Sequence, residues 1–384
     1  MRLYLLIAIV LCFCFQNLSL AQENDLAGFE ISIDQDNFAD IVRDTVEADR
    51  NYAVSLRIGF YGALANHDYL GLPWVRKRVD EFLLDKILYN SGFQEESRSH
   101  NFVFTINGFS PSHISSETPE FEEALSQGYL LNGDHPFSSF TGFRSTRRVQ
   151  GIKRIVHSAK AIDLAINSSF TFGFASFGLV KGIENLFGGN RPNGNLWDRD
   201  PNNPDPTGQA MPSPFPMFMY SLSAEAVVWQ PIKKVLVQLR PELNLGYYTN
   251  IGIGLDIGKV LNVERHVDNL SYTDTNNPGT ISVNDGALGF SLVAGGSVKA
   301  VLYNGHVNGI FGWNKGHYFG LGETKKIVAE AYAGFKLQFV SKVEFNFSVN
   351  YRTSEFSGLI SRNPIWGTIG LKYLLDSPGE GCYD

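Results

Sequence analysis

The sequence predicts an all-β chain: a transmembrane antiparallel up-and-down β-barrel of about 12 strands, with one helical insertion near 70–90. Three observations predict it. Apolar and polar residues alternate with period two over most of the chain, the pattern of strands with one apolar face. The alternating segments number about twelve, and an even count suits a closed barrel. The composition is low in charge (18%), rich in aromatics (13%) and carries 38 glycines, while no apolar run after the N-terminus is long enough for a spanning helix. A soluble β-sandwich or a periplasmic barrel is the competing reading, since each barrel strand gives only a weak signal.

The strands are expected near 29–36, 51–62, 100–109, 136–147, 161–177, 217–229, 233–247, 249–261, 286–303, 325–340, 342–354 and 364–375. The clearest is "VEFNFSVNY", with Val343, Phe345, Phe347, Val349 and Tyr351 on one face and Glu344, Asn346, Ser348 and Asn350 on the other. "YAVSLRIGF" and "IVAEAYAGFKLQF" follow the same rule, placing Arg57, Glu330, Lys336 and Gln338 opposite their apolar faces. Tight links are expected at 231–234, 247–250 and 340–342, and longer ones at 37–50, 110–135, 178–215, 262–285 and 355–363. Short turns on one side and long loops on the other are the asymmetry of outer-membrane barrels. Twelve strands leave a narrow lumen, across which Arg57, Glu330, Lys336 and Glu344 are expected to pair.

The insertion "LGLPWVRKRVDEFLLDKILYNSGF", residues 70–93, has helical spacing: Trp74, Val75, Val79, Phe82, Leu83 and Ile87 are apolar, with Arg76, Lys77 and Arg78 clustered. It falls between the second and third strands, on the periplasmic side by alternation. Two placements are open: an amphipathic helix against the inner leaflet, or a plug in the barrel mouth.

Residues 1–21 read as a secretory signal peptide: Arg2, an apolar run, then Ser19-Leu20-Ala21. Cys12 and Cys14 lie within it, so 22–375 forms the barrel with Cys382 as its one cysteine, in a C-terminal tail at 376–384. No internal disulfide is then available. The net charge of −7 argues against nucleic acid as a partner.

One stretch carries more than fold. "ISIDQDNFADIVRDTVEADRNY" starts as a strand, then turns acidic at Asp34, Asp36, Asp40, Asp44, Glu47 and Asp49. "SIDQDNF" followed by "DRNYAVSLRIGF" resembles the start of the lipid A 3′-O-deacylase family of outer-membrane barrels, in which an Asn-Asp pair ends the first strand. "FTINGFSPSHI", "NGDHPFSSFTGFRS", "RPELNLGYYTNIGIGLDIGKVLN", "AVLYNGHVNGIFGWNKGHYF" and "FSVNYRTSEFSG" are similar, in order, to later family segments. The resemblance implies location in the outer membrane of a Gram-negative bacterium. It also implies lipid A or lipopolysaccharide as partner, a monomer, and hydrolysis of an acyl ester at the outer leaflet assisted by Ca²⁺. Carried over position by position, it places Asp36 in the catalytic and metal site, with Gln35 and Asn37 beside it. Gln35, Asn37, Ala53, Asp134 and His135 then belong to the substrate site, and Glu184 and Asn185 to the catalytic loop. The oxygens of Gln35, Asp36 and Asn37 are of the type Ca²⁺ takes; a solvated turn with Asp and Asn accounts for them equally.

The sequence departs from the family at several of these positions. Gln35 stands for an Asn, Ala53 for a Thr, His135 for an Arg and Asn185 for the catalytic His. Within "LVKGIENLFGGNRPNGNLWDRD", Lys181 replaces a Gln. No histidine lies between His157 and His266. An amide cannot serve as a base; Glu184 can, if burial raises its pKa, and His113 and His135 are further candidates. Ser138 and Ser139 lack a nucleophile-elbow context. Three functions are therefore weighed: a divergent lipid A esterase, a catalytically inactive relative that binds lipid A or has a structural role, and a narrow pore.

Overall fold

The computed structural model describes residues 28–35, 54–62, 65, 71–90, 92–109, 138–154, 161–175, 215–232, 235–260, 266–267, 270–271, 289–309, 320–339, 343–357 and 363–374. Twelve strands close a barrel. They are β1 (Gly28–Gln35), β2 (Val54–Tyr61), β3 (Phe93–Phe109), β4 (Ser138–Arg154), β5 (Ala161–Ala175), β6 (Phe215–Ile232), β7 (Val235–Gly246), β8 (Tyr248–Val260), β11 (Gly289–Asn304), β12 (Ile327–Phe339), β13 (Val343–Arg352) and β14 (Ile365–Leu374). A two-stranded pair, β9 (His266–Val267) and β10 (Leu270–Ser271), sits in the connection after β8. Helices α1 (Leu72–Leu83) and α2 (Asp85–Asn90) precede β3, and a single turn, α3 (Gly305–Asn308), follows β11. Every neighbouring pair of barrel strands is antiparallel, and β1 closes on β14 from Gly28↔Leu374 to Gln35↔Gly367. Closure leaves no backbone edge unpaired, which a wall in hydrocarbon requires.

Directly paired residues share a face, so the ladders sort the two sides of the wall. The pairs Ile31↔Ile58↔Phe104↔Phe143↔Phe172↔Phe218 run as one apolar row across six strands. This is the outward face, where Phe218 and Ile253 stand exposed. The opposite face carries Glu30↔Lys372↔Glu344 and the other charges expected inside. Lys299 reaches Glu242 at 3.1 Å and Glu330 at 2.6 Å, and Arg352 binds Glu330 at 2.7 Å and Glu355 at 3.2 Å. Arg240 pairs with Asp256, Lys336 with Glu344, and Arg57 with Asp34. Arg57, Glu330, Lys336 and Glu344 are all paired, as expected, but each binds a partner on the adjacent strand, so the charge-assisted bonds run along the inner wall rather than across the lumen.

The expected strands match in number, with two instructive differences. β3 and β4 extend to Phe93 and Arg154, because "FQEESRS" pairs with its neighbour without alternating in polarity. The loop asymmetry is also imperfect. Gly28, Tyr61 and Leu374 share one end, here called proximal. The short connections 155–160, 233–234 and 340–342 lie at that end, marking it as periplasmic. The tight link at Tyr247, however, falls on the distal rim, and the long 261–288 connection is proximal, against expectation. Tyr247 is reached through Gly246 at φ 134°, where a Cβ would stand 2.1 Å from the Phe218 carbonyl oxygen; only glycine permits so abrupt a distal turn.

Candidate functional site

At the distal rim β1 changes character within three residues. Ile31 and Ile33 face outward and are partly exposed, while Asp34 points inward, is almost fully buried and is paired with Arg57. Gln35 lies on the outward row, flanked by Val54 of β2 and Gly367 of β14. A polar amide therefore ends the lipid-facing row, where a hydrocarbon boundary would fall. On neighbouring strands, the ends at Phe109, Ser138, Ala175 and Phe215 stand at the same rim. Connections 36–53, 110–137 and 176–214 thus all begin and finish there.

The lumen beneath this rim is filled. Phe140, Ala175 and Met217 form a buried cluster with Tyr247 packed on it. The α3 turn folds against it: the Gly305 N–H donates to the Tyr247 carbonyl at 2.6 Å, and the His306 ring meets Tyr247 edge-on at 5.5 Å. Val307 packs on Phe356, and Asn308 donates to Thr324.

The second polar cluster lies outside the barrel. Helix α1 packs on β4 and β5, and the residues it meets are outward-facing. Ser145 and Arg147 follow Phe143 on one face of β4, Ser168 follows Phe170 on β5, and Tyr220 pairs with Phe170. Asp80, fully buried, accepts from the Tyr220 hydroxyl (2.9 Å), the Ser168 hydroxyl (2.8 Å) and the Arg147 guanidinium (3.2 Å). Arg147 also binds Asp85 at 3.0 Å, and Arg76 donates to Ser145 at 3.0 Å. Burial pushes the Arg76 guanidinium down to about 10, opposed chiefly by the Asp80 carboxylate, so it stays charged at neutral pH. Leu72 and Ala65 seal the top of the contact against Phe102, with Phe143, Phe170 and Phe172 packed around it. The plug reading of 70–93 is corrected. The helix buries its polar Arg76 and Asp80 against the outer wall and leaves Trp74 and Phe82 exposed on its far side.

Of the candidate site residues named from the sequence, Gln35 alone has a described side chain. Asp36, Asn37, Ala53, His113, Asp134, His135, Glu184, Asn185 and Cys382 lie outside the described residues; Ser138 and Ser139 start β4, with their side chains likewise undescribed. Among the described residues no group of three or more His, Cys, Asp or Glu stands together to hold a metal. The α1–wall cluster was missed from sequence. Its signal was available: Ser145, Arg147 and Ser168 interrupt an otherwise apolar outward face.

These features define the class: an integral β-barrel of the Gram-negative outer membrane. No protein-family model and no curated protein matches the chain. Among solved structures it is similar to LpxR from Salmonella typhimurium, with a TM-score of 0.56 and 16% identity, covering 91% of this chain and 100% of that one. Weaker likenesses are to the β domain of the Bordetella autotransporter Brka (TM-score 0.39, 7% identity, 91% and 100% covered). The translocator domain of NalP from Neisseria meningitidis is also weakly similar (0.37, 10%, 92% and 89%). At these identities the likeness concerns the fold.

Proposed function

We propose that the chain is a divergent ester hydrolase of the lipid A deacylase type, acting on lipid A at the outer leaflet. The observation that carries the reading is the rim. The outward row of β1 ends in Gln35, and the three connections holding Asp36, Asn37 and Ala53, then Asp134 and His135, then Glu184 and Asn185 all start from that rim on adjacent strands. The sequence resemblance to the lipid A 3′-O-deacylase family and the fold likeness to LpxR favour the same assignment. Asp36 with the amide oxygens of Gln35 and Asn37 would hold Ca²⁺, donors of the kind a hard cation takes. The ion would polarise the ester carbonyl. Glu184, standing beside Asn185 at the family's His position, is the proposed base, with His113 and His135 as candidates to replace it.

The lost His favours a second reading, a relative that binds lipid A without cleaving it. The pore reading is disfavoured by the buried, paired charges along the inner wall and the aromatic cluster beneath the rim. Mass spectrometry of lipid A from cells expressing the wild type, Asp36→Ala and Glu184→Gln separates the first two. Loss of one acyl chain in the wild type but not in Asp36→Ala supports hydrolysis; unchanged lipid A with a folded, inserted barrel supports the inactive relative.

A further inference from the structure

We propose that helix α1 is a docking surface for the phospholipid headgroups of the periplasmic leaflet. The argument is independent of any activity at the distal rim. The helix lies on the face of the wall that itself meets lipid, and Leu72 continues directly into the outward aromatic cluster of Phe102, Phe143, Phe170 and Phe172. It lies over Ser145, Arg147 and Ser168, which interrupt that face before Val149 and Ile166 resume it, and so on the proximal, periplasmic side of the aromatic band. What the helix presents there is a stripe at four-residue spacing: Trp74, Arg78, Phe82 and Lys86, with Lys77 alongside. Trp74 is 54% and Phe82 72% exposed, a large apolar area to leave in water. Each ring carries a cation, Arg78 5.8 Å from Trp74 and Lys86 5.9 Å from Phe82. Aromatic rings at the acyl boundary beneath basic heads are the arrangement of interfacial helices.

The acidic groups nearby do not cancel this charge. Glu81 pairs with Arg78 at 3.1 Å, and Asp80 and Asp85 are turned to Arg147, while Lys77 and Lys86 stand exposed on α1 and α2. The polar clamp to the wall fixes the helix so that its aromatic side must point to the membrane.

Two measurements test this. Purified barrel in nanodiscs of mixed phosphatidylcholine and phosphatidylglycerol is extracted, and the lipids that stay bound are identified by native mass spectrometry. The wild type should retain phosphatidylglycerol preferentially. In Lys77→Gln/Arg78→Gln/Lys86→Gln the preference should fall roughly fivefold per charge removed. An unchanged preference overturns the proposal. Separately, wild type and Trp74→Phe are compared in vesicles of phosphatidylcholine brominated near the headgroup. The fluorescence lost on substitution should be blue-shifted and quenched by bromine. A red-shifted, unquenched Trp74 signal also overturns it. This second result stands if the triple variant fails to fold, with heat-modified gel mobility as the check on folding.

Discussion

Asp80→Asn tests the clamp between α1 and the outer wall. The carboxylate is fully buried and accepts three bonds, from Tyr220, Ser168 and Arg147, at 2.8 to 3.2 Å. Breaking a buried ion pair by removing one partner costs about 3–5 kcal/mol, much of it from the orphaned charge. Arg147 keeps Asp85, which is partly exposed, so the lower bound of about 3 kcal/mol applies. The loss should be local. The twelve-stranded ladder is untouched, and helix docking is a separate opening unit. Hydrogen exchange is the assay. Amides across Leu72–Leu83 should exchange roughly a hundredfold faster, the equivalent of that energy, while those of β4 and β5 stay protected. Adding Arg147→Gln should recover part of the loss, because the orphan charge goes with it. Unchanged protection of the helix in Asp80→Asn would refute the buried clamp, and equal loosening of the whole barrel would refute its local character.

Other substitutions separate the faces of the wall. Leu255→Arg, on the outward face of β8, should cost about 2–4 kcal/mol in urea unfolding from bilayers, whereas the inward Ser297→Thr should leave the midpoint near wild type. Gly246→Ala should destabilise by more than about 1 kcal/mol, because φ is positive and the new Cβ meets the Phe218 carbonyl; an unchanged midpoint would contradict the turn geometry. Planar-bilayer recordings should show no steady channel current, since the inward Glu225, Glu344 and Lys372 are almost fully buried and aromatic packing fills the lumen beneath the rim; well-resolved conductance in the wild type would contradict a closed interior.

The wall was legible wherever it meets lipid on one side and lumen on the other. There the period of two is enforced at every residue, as along Ile327–Phe339 and Val343–Arg352. It faded where the wall meets protein. The Phe93–Ser99 extension of β3 carries no apolar face, and Ser145, Arg147 and Ser168 are polar on an outward face because Arg76 and Asp80 cover them. The same ambiguity hid the orientation of α1. A stripe of Trp74 and Phe82 marks a core in water but an outer surface beside a membrane, and periodicity alone does not distinguish the two solvents. The proposed site residues fall in connections without periodic patterning, so Asp36, Asp134 and Glu184 were reached by resemblance rather than by spacing.

The most direct test of the central claim uses purified barrel in nanodiscs with defined lipid A, with Ca²⁺ or with chelator, read by mass spectrometry over time. The account predicts loss of one ester-linked acyl chain in Ca²⁺, arrested by chelator and absent in Asp36→Ala. Intact lipid A in Ca²⁺ with a correctly folded barrel would contradict it.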